Sequence, residues 1–455
     1  MTLSSKVWGI KVMVSKDGIV KTVVDVGSGR IKAIIGELSS NGETLKVLKY
    51  IDGPSKGMIK GEVQDGKALS KSIQDVLDKL RVATNEPINS ISIGITGEKI
   101  KSRTVNTELA LDEEVEINDT HIQKLIEKAE EKVFTGEEQI LKTEIYNIRV
   151  DNSGIVKNPI GVQGSKLQGD VHLIYTNNET VSKLIATVNS IDVDVEKIIL
   201  NSYASVKSTL DEEDMRMGVA LVDIGEGTTD IILYKNEKLI YVESIPLGGR
   251  HFKTDLMYLY NIEEEEVADE ILDKYRTRDI GEDGSIYYTG CDKPIMATDL
   301  QRIITARLKE IIDYVDSTIQ KSGFNGYLGK GLVLTGGVIG DKLINVDQLL
   351  DMINQKTGYV ARKVLPPNEF SGLEKADSSM ATVIGLFYEV MEEEDRKLKT
   401  GSYTHQDIEV RNERKIQPQE DEVSKILEQH SGEEVEEKEK GKFISTVKEW
   451  FSHFI

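Results

Sequence analysis

The stretch Val219 to Tyr234, VALVDIGEGTTDIILY, sets two apolar, β-branched runs on either side of a polar, glycine-jointed loop. Runs of that kind read as strands, so the loop is the turn of a β-hairpin. A phosphate loop of the GxxxxGK[ST] type or a GxGxxG dinucleotide turn would open a helix instead, and neither pattern is present. Glycine admits positive φ and lets backbone N–H groups approach a ligand closely. The hydroxyls of Thr228 and Thr229 add donors suited to phosphate oxygens. Asp223, at the strand end, repels phosphate but can hold the waters of a Mg²⁺ that binds it.

The pattern occurs twice. In TVVDVGSGRIKAIIGEL, Thr22 to Leu38, the run Val24-Asp25-Val26-Gly27-Ser28-Gly29 aligns with Val222-Asp223-Ile224-Gly225-Glu226-Gly227. Ser28 supplies the hydroxyl and Asp25 the strand-end acid. One copy is explained by ordinary turn chemistry. Two copies so far apart weigh against ordinary turns and suggest two related halves. A third element, GLVLTGGVIG from Gly331 to Gly340, is a strand ending in adjacent glycines, followed by a predicted helix over Asp341 to Thr357. Gly336 and Gly337 would present bare backbone to a base or sugar.

In this order, two phosphate hairpins and a Gly-Gly strand end resemble the actin, Hsp70 and sugar-kinase superfamily. The resemblance implies an α/β fold with two actin-like, RNase H-like lobes clamping ATP and Mg²⁺. Carried onto this chain, the nucleotide residues are Asp25, Gly27, Ser28, Gly29, Arg30 and Lys32 at the phosphate-1 turn. Asp223, Gly225, Gly227, Thr228, Thr229 and Asp230 follow at the phosphate-2 turn, and Gly336 and Gly337 at the adenosine motif. Asp25 and Asp223 would reach Mg²⁺ through water. Gly248 and Gly249 precede a predicted helix from His251, whose free N–H groups could receive an anion, with Lys253 facing the cleft. The plainer alternative is a glycine-jointed helix start with a solvated lysine. Two departures stand out: Val338 adds bulk beside the glycines, and Asn201-Ser202-Tyr203-Ala204-Ser205 lacks the acid that serves hydrolysis in the Hsp70 branch. Weak or absent ATPase activity is expected.

Between the hairpins, INSISIGITGEKIKS (Ile88 to Ser102), a charged helix over Asn118 to Val133, QILKTEIYNIRVD and GIVKNPIGVQGSKLQGDVHLIYT form a β-α-β insert. That insert, with LGGRHFKTDL and ITARLKEIIDYV, is similar to the FtsA family. The expected division is an extension over 1–18 and a first lobe over 19–82, continued by 165–205 and 365–390. The insert spans 83–164. A second lobe spans 206–253, continued by 310–364, with a small subdomain over 254–309. The resemblance implies a cell-division protein that polymerises, binds the FtsZ tail, tethers FtsZ filaments to the membrane and recruits later division proteins. Arg302, Arg307 and Lys309 would receive the acidic FtsZ tail, although a solvated, salt-bridged helix face explains each equally well.

The rest of the chain bounds these readings. At 455 residues it has room for several domain-sized units, and 39% hydrophobic residues suit a folded protein. A net charge of −21 argues against a nucleic-acid partner, and a single cysteine suits a reducing cytoplasm. The N-terminus lacks the apolar region of a signal peptide. From 391 to 440, mixed charges with few apolar residues predict a disordered linker. GKFISTVKEWFSHFI, 441–455, then sets Phe443, Ile444, Val447, Trp450, Phe451, Phe454 and Ile455 on one helical stripe, too short to span a bilayer but suited to lying in its surface. A linker of roughly fifty residues reaches ~40 Å, well beyond the ~8 Å Debye length, so an acidic body can stand off anionic lipid. The expected location is the cytoplasmic face of the membrane at the division site. Rival readings are a small-molecule kinase, which gives the terminal stripe no role, and a pilus-assembly relative. An Hsp70-type chaperone would need a peptide-binding domain for which little chain remains.

Overall fold

The computed structural model describes residues 18–400, apart from positions 40, 41, 43, 135, 291, 292, 368–371 and 374. The expected membrane stripe, Phe443 to Ile455, lies outside the described residues, as do most of the N-terminal extension and the linker beyond Thr400.

Strand β1 (Gly18–Val26) turns at Gly27 into antiparallel β2 (Arg30–Ser39), which pairs with β3 (Leu45–Pro54). A small ribbon, β4 (Met58–Ile59) and β5 (Glu62–Val63), leads to α1 (Gly66–Thr84). Asp65 caps α1 by accepting from Ala68 N–H at 3.0 Å, and Asn85 ends it in the left-handed conformation. Leu69, Ile73, Val76, Leu77 and Leu80 recur at helical spacing and are buried against the sheet. Strand β6 (Ser90–Ile95) then enters parallel to β1.

The insert follows: β7 (Lys101–Glu116), α2 (Asp119–Glu131), β8 (Glu138–Val150) and β9 (Gln163–Asn177). The strands form an antiparallel sheet in the order β7-β9-β8, and α2 buries Leu125 and Ala129 against it. Its boundaries differ from the expected 83–164. Ser90–Ile95 belongs to the first lobe, between β10 and β1, because Ile91, Ser92, Ile93 and Ile95 are all buried and need cover on both faces. At the other end β9 keeps residues 165–177 in the insert sheet.

The chain returns to lobe 1 through α3 (Asn178–Asn189) and β10 (Asp194–Leu200), then crosses by α4 (Asn201–Thr209) and α5 (Glu212–Met217). Lobe 2 comprises β11 (Val219–Ile224), β12 (Thr229–Lys235), β13 (Lys238–Ile245), α6 (Arg250–Tyr260) and α7 (Glu265–Thr277). It continues with the ribbon β14 (Ser285–Ile286) and β15 (Ile295–Met296), α8 (Ala297–Lys321), β16 (Leu332–Thr335), α9 (Gly337–Gly340), α10 (Val346–Thr357) and β17 (Ala361–Lys363). The helix expected over Asp341 to Thr357 is therefore two, α10 starting where Asn345 accepts from Gln348 N–H. The sheets read β10-β6-β1-β2-β3 and β17-β16-β11-β12-β13, the same order in each lobe. Each hairpin strand pairs antiparallel with its successor and parallel with the strand that follows a helix.

The last helix, α11 (Ala381–Thr400), packs on α4 and on the lobe 1 sheet through Val383, Ile384, Phe387 and Val390. It overruns the expected linker start at 391. Met391 is buried and Glu394 is 4% exposed. The charges that suggested a solvated linker face basic residues of the sheet: Glu394 pairs with Lys21 at 3.6 Å, and Lys197 with Glu389 at 3.4 Å and with Glu393. Burial works against the Glu393 carboxylate, but Lys197 and Lys397 hold it at about 2.

Gly385 makes the α4–α11 contact possible, since a Cβ there would stand 1.7 Å from Ala204 O. Alanine is the better helix former by roughly 1 kcal/mol. Gly385→Ala should nevertheless destabilise the protein by about 1–3 kcal/mol through overpacking, read as a lower urea midpoint at unchanged slope.

Candidate functional site

The two Asp-x-Gly-x-Gly turns come from different sheets and meet. In each, the first glycine closes the hairpin: Gly27 N–H donates to Arg30 O at 3.2 Å and Gly225 N–H to Thr228 O at 2.9 Å. The middle residue of each turn rests on the last glycine of the other. A Cβ on Gly227 would stand 2.4 Å from Ser28 Oγ, and one on Gly29 would stand 2.7 Å from Glu226 Cγ. Ser28 Oγ also accepts from Gly61 N–H at 3.1 Å. The copies are not identical across the hairpin, for Asp25 pairs in register with Lys32 and Asp223 with Asp230.

Helix α4 carries the partners of both strand-end acids. Asn201 Nδ2 donates to Asp25 at 3.2 Å, and one turn later Ser205 Oγ donates to Asp223 at 2.7 Å. Thr382 Oγ1 adds a bond to Asp223 at 3.2 Å, and Lys32 Nζ lies 3.6 Å from Asp25. Burial pushes both carboxyls above their ordinary values. Lys32 and Asn201 oppose the shift at Asp25, as Ser205 does at Asp223. Asp230 is pushed up to about 7 by burial and by the charge on Asp223. Its carboxylate accepts from Ser244 Oγ at 2.5 Å and, across the lobes, from Thr96 Oγ1 at 2.7 Å.

At the third element Gly336 takes φ 101°, and a Cβ there would meet Asp223 Oδ1 at 2.4 Å. Nothing lies within 4 Å of the Cβ position of Gly337, so its backbone is open. Val338, expected to crowd a nucleotide, is buried in the lobe 2 core instead. The residues fit a magnesium nucleotide: open backbone at Gly337, two inward acids, and Asn201 Oδ1 and Ser202 Oγ, which are buried without a hydrogen-bond partner. Among the described residues no group of three or more His, Cys, Asp or Glu side chains forms a metal cage.

Several expected roles do not survive the geometry. The α6 N-terminus offers no free donors, because Gly249 N–H bonds Gly225 O at 2.9 Å and Arg250 N–H bonds Glu226 O at 2.8 Å. Gly248 N–H goes to His251 Nδ1 at 3.2 Å. Lys253 is held by Glu265 at 2.8 Å and Asp269 at 3.3 Å. Thr229 is fully buried and its hydroxyl donates to Leu247 O at 2.9 Å, which leaves Thr228 as the cleft hydroxyl. Arg30 pairs with Asp52. In the expected partner set, Arg307 is 3% exposed and donates to Asp255 through Nε and Nη2 at 2.9 and 2.7 Å. Arg302 and Lys309 are exposed, Arg302 beside Asp299 at 3.0 Å. Thr96, Asn201, Ser205, Ser244 and Thr382 were missed. The polar face Asn201, Ser205, Ser208 on a short helix was the one signal that could have revealed part of this set.

Two sheets of one strand order, joined by a bridging helix and meeting through paired Asp-Gly turns, define a two-lobed actin-like ATPase fold. It is shared with a chain of the PilM-PilN type IV pilus biogenesis complex at TM-score 0.58 and 14% identity, over 82% of this chain and 98% of that one. The "SHS2 domain inserted in FTSA" matches residues 97–175, and "Cell division protein FtsA" matches residues 220–297. The chain is 28% identical to the cell division protein FtsA of Borreliella burgdorferi, over 83% of this chain and 92% of that protein. With FtsA of Escherichia coli K12 it shares 25% over 69% of this chain and 77% of the relative. These matches make the chain similar to the FtsA family of cell division proteins over most of its length.

Two measurements check this site. Arg307→Ala strands Asp255 in the interior and should cost about 3–5 kcal/mol, whereas Arg302→Ala should cost at most about 0.5 kcal/mol; chemical denaturation separates them. Folded Asp230 titrates near about 7, and an unfolded aspartate near about 3.9. The folded state therefore binds more protons between those values, so this group's contribution is greatest below about pH 4 and is lost as pH rises through about 7. Asp230→Asn should be the more stable protein at pH 8, on the order of 1–3 kcal/mol, with the difference vanishing near pH 4.

Proposed function

We propose that the chain binds ATP with Mg²⁺ between its two hairpin turns, stacks into filaments of its own copies, and tethers FtsZ filaments to the cytoplasmic membrane. The observation that carries this reading is the meeting of two duplicated turns from separate sheets, each with a buried acid at its base. Asp25 and Asp223 would hold the cation through its waters, and when bound it would supply positive charge against the phosphates. Ser28, Thr228 and the turn N–H groups would orient the phosphates, and Gly336 and Gly337 would lie against the nucleoside. Asn201 and Ser205 place no carboxylate where α4 faces the cleft, which supports slow or absent turnover.

Arg302 and Lys309, exposed on α8, would meet the acidic FtsZ tail without Arg307. Later division proteins would join the same assembly. Among the described residues no helix is long and apolar enough to cross a membrane. Attachment would fall to the stripe Phe443, Ile444, Val447, Trp450, Phe451, Phe454 and Ile455. One such helix binds reversibly, and a filament raises avidity without new contacts.

Calorimetry with Mg-ATP should register binding that chelation of Mg²⁺ weakens and Asp223→Ala abolishes; no heat at millimolar ATP would end the nucleotide reading. Removal of residues 442–455 should abolish co-sedimentation with anionic vesicles while leaving that calorimetric signal intact.

A further inference from the structure

The middle residues of the two turns differ in more than size. Ser28 is anchored, its Oγ accepting from Gly61 N–H at 3.1 Å. Glu226 is exposed and has no side-chain hydrogen bond or ion pair among the described residues. Its stem lies over Gly29, where a Cβ would stand 2.7 Å from Cγ and 2.9 Å from Cβ of Glu226. Its carboxylate extends toward α6, Oε2 lying 3.2 Å from the Cβ position of Gly249. The bare backbone at Gly29, which would suit a phosphate, is therefore covered by a side chain of the opposite lobe.

The charges around Glu226 do not hold it there. Lys253, Arg276 and Arg250 are the cations that act on its carboxylate, and Asp341 opposes them. Each cation is already committed: Lys253 to Glu265 and Asp269, Arg276 to Asp341 at 3.0 Å and Asp273 at 2.6 Å, Arg250 to Glu265 at 3.5 Å. Asp25, Asp223 and Asp230 are buried at the bases of the two turns. A carboxylate with no hydrogen bond or ion pair of its own can leave its place at little cost, and it repels any anion that approaches.

We propose that Glu226 is a displaceable stopper, filling the space between the turns until an entering polyphosphate drives it out toward solvent. The inference rests on the nucleotide reading above. The side chain sets affinity in two ways. Its bulk must be moved before phosphate oxygens reach the Gly29 backbone, and its charge opposes theirs in a partly desolvated cleft. The lobes also exchange one contact for another, the Glu226–Gly29 contact giving way to a ligand that touches both turns.

The test is calorimetric titration of Mg-ATP into the full chain and into Glu226→Gln and Glu226→Gly. Glutamine keeps the shape and removes the charge, and should tighten binding by roughly threefold to tenfold. Glycine removes both and should tighten it by roughly tenfold or more. Melting curves without nucleotide establish that each variant folds, and the isosteric glutamine decides alone if the glycine variant does not. If the unaltered chain binds and both variants bind equally or more weakly, Glu226 is a ligand or a bystander and the stopper is wrong, while the nucleotide site stands. If none of the three binds, the nucleotide reading fails and the stopper fails with it.

Discussion

One helix, Asn201–Thr209, holds an acid from each lobe. Asn201 bonds Asp25 and Ser205 bonds Asp223, and the two residues are one helical turn apart. Both acids are buried and unpaired except for Lys32, a state that is costly without donors aimed at them. The hydrogen bonds fix where the two strand ends stand relative to one helix, and so where the two turns stand relative to each other. Gly385 lets α11 lie against α4 at backbone distance, so the bridging helix is itself clamped. Thr96 to Asp230 adds a polar contact that crosses directly between lobes.

The duplication that builds the molecule has been broken at its centre. The sheets keep one strand order and the turns one spacing, yet Lys32 faces Asp25 where Asp230 faces Asp223, and Ser28 stands where Glu226 does. Lobe 1 therefore brings a cation and a small anchored hydroxyl to the cleft. Lobe 2 brings two further acids. A symmetric pair of turns could close on each other equally well in either sense; this pair leaves its negative charge mainly on one side. A ligand with its own negative charge would meet that side most favourably with a divalent cation in between.

Local pattern made the hairpins legible, since strand, Asp-Gly turn and strand lie within one short window, and repetition made the two lobes legible. What escaped depends on partners distant in the chain. Arg307 reads as one more basic residue on a charged helix, because its acid, Asp255, lies on another helix. Ser90–Ile95 sits next to the insert in sequence, but its all-round burial comes from strands β1 and β10. Residues 391–400 have a linker's composition, and only the basic residues Lys21 and Lys197 on the sheet turn that composition into a docked helix face. Gly248 and Gly249 looked like an open helix start until the carbonyls of the phosphate-2 turn took the N–H groups of Gly249 and Arg250.

That last arrangement links the second lobe's parts. Gly225 O and Glu226 O cap α6, so the phosphate-2 turn and the α6 N-terminus move as one piece. Under the proposed function, a ligand that shifts this turn also shifts α6, and α6 is joined through Asp255 and Arg307 to α8, the helix bearing Arg302 and Lys309. The buried ion pair then matters for more than stability, because it is the rigid link between the cleft and that exposed basic face. On the other side of the cleft, α11 is pinned to the lobe 1 sheet through Glu394 and Met391 and reaches lobe 2 through Thr382, which bonds Asp223 at 3.2 Å, so a tether leaving at Thr400 would pull first on lobe 1. Under that reading, partner and membrane would load the two lobes on either side of the paired turns.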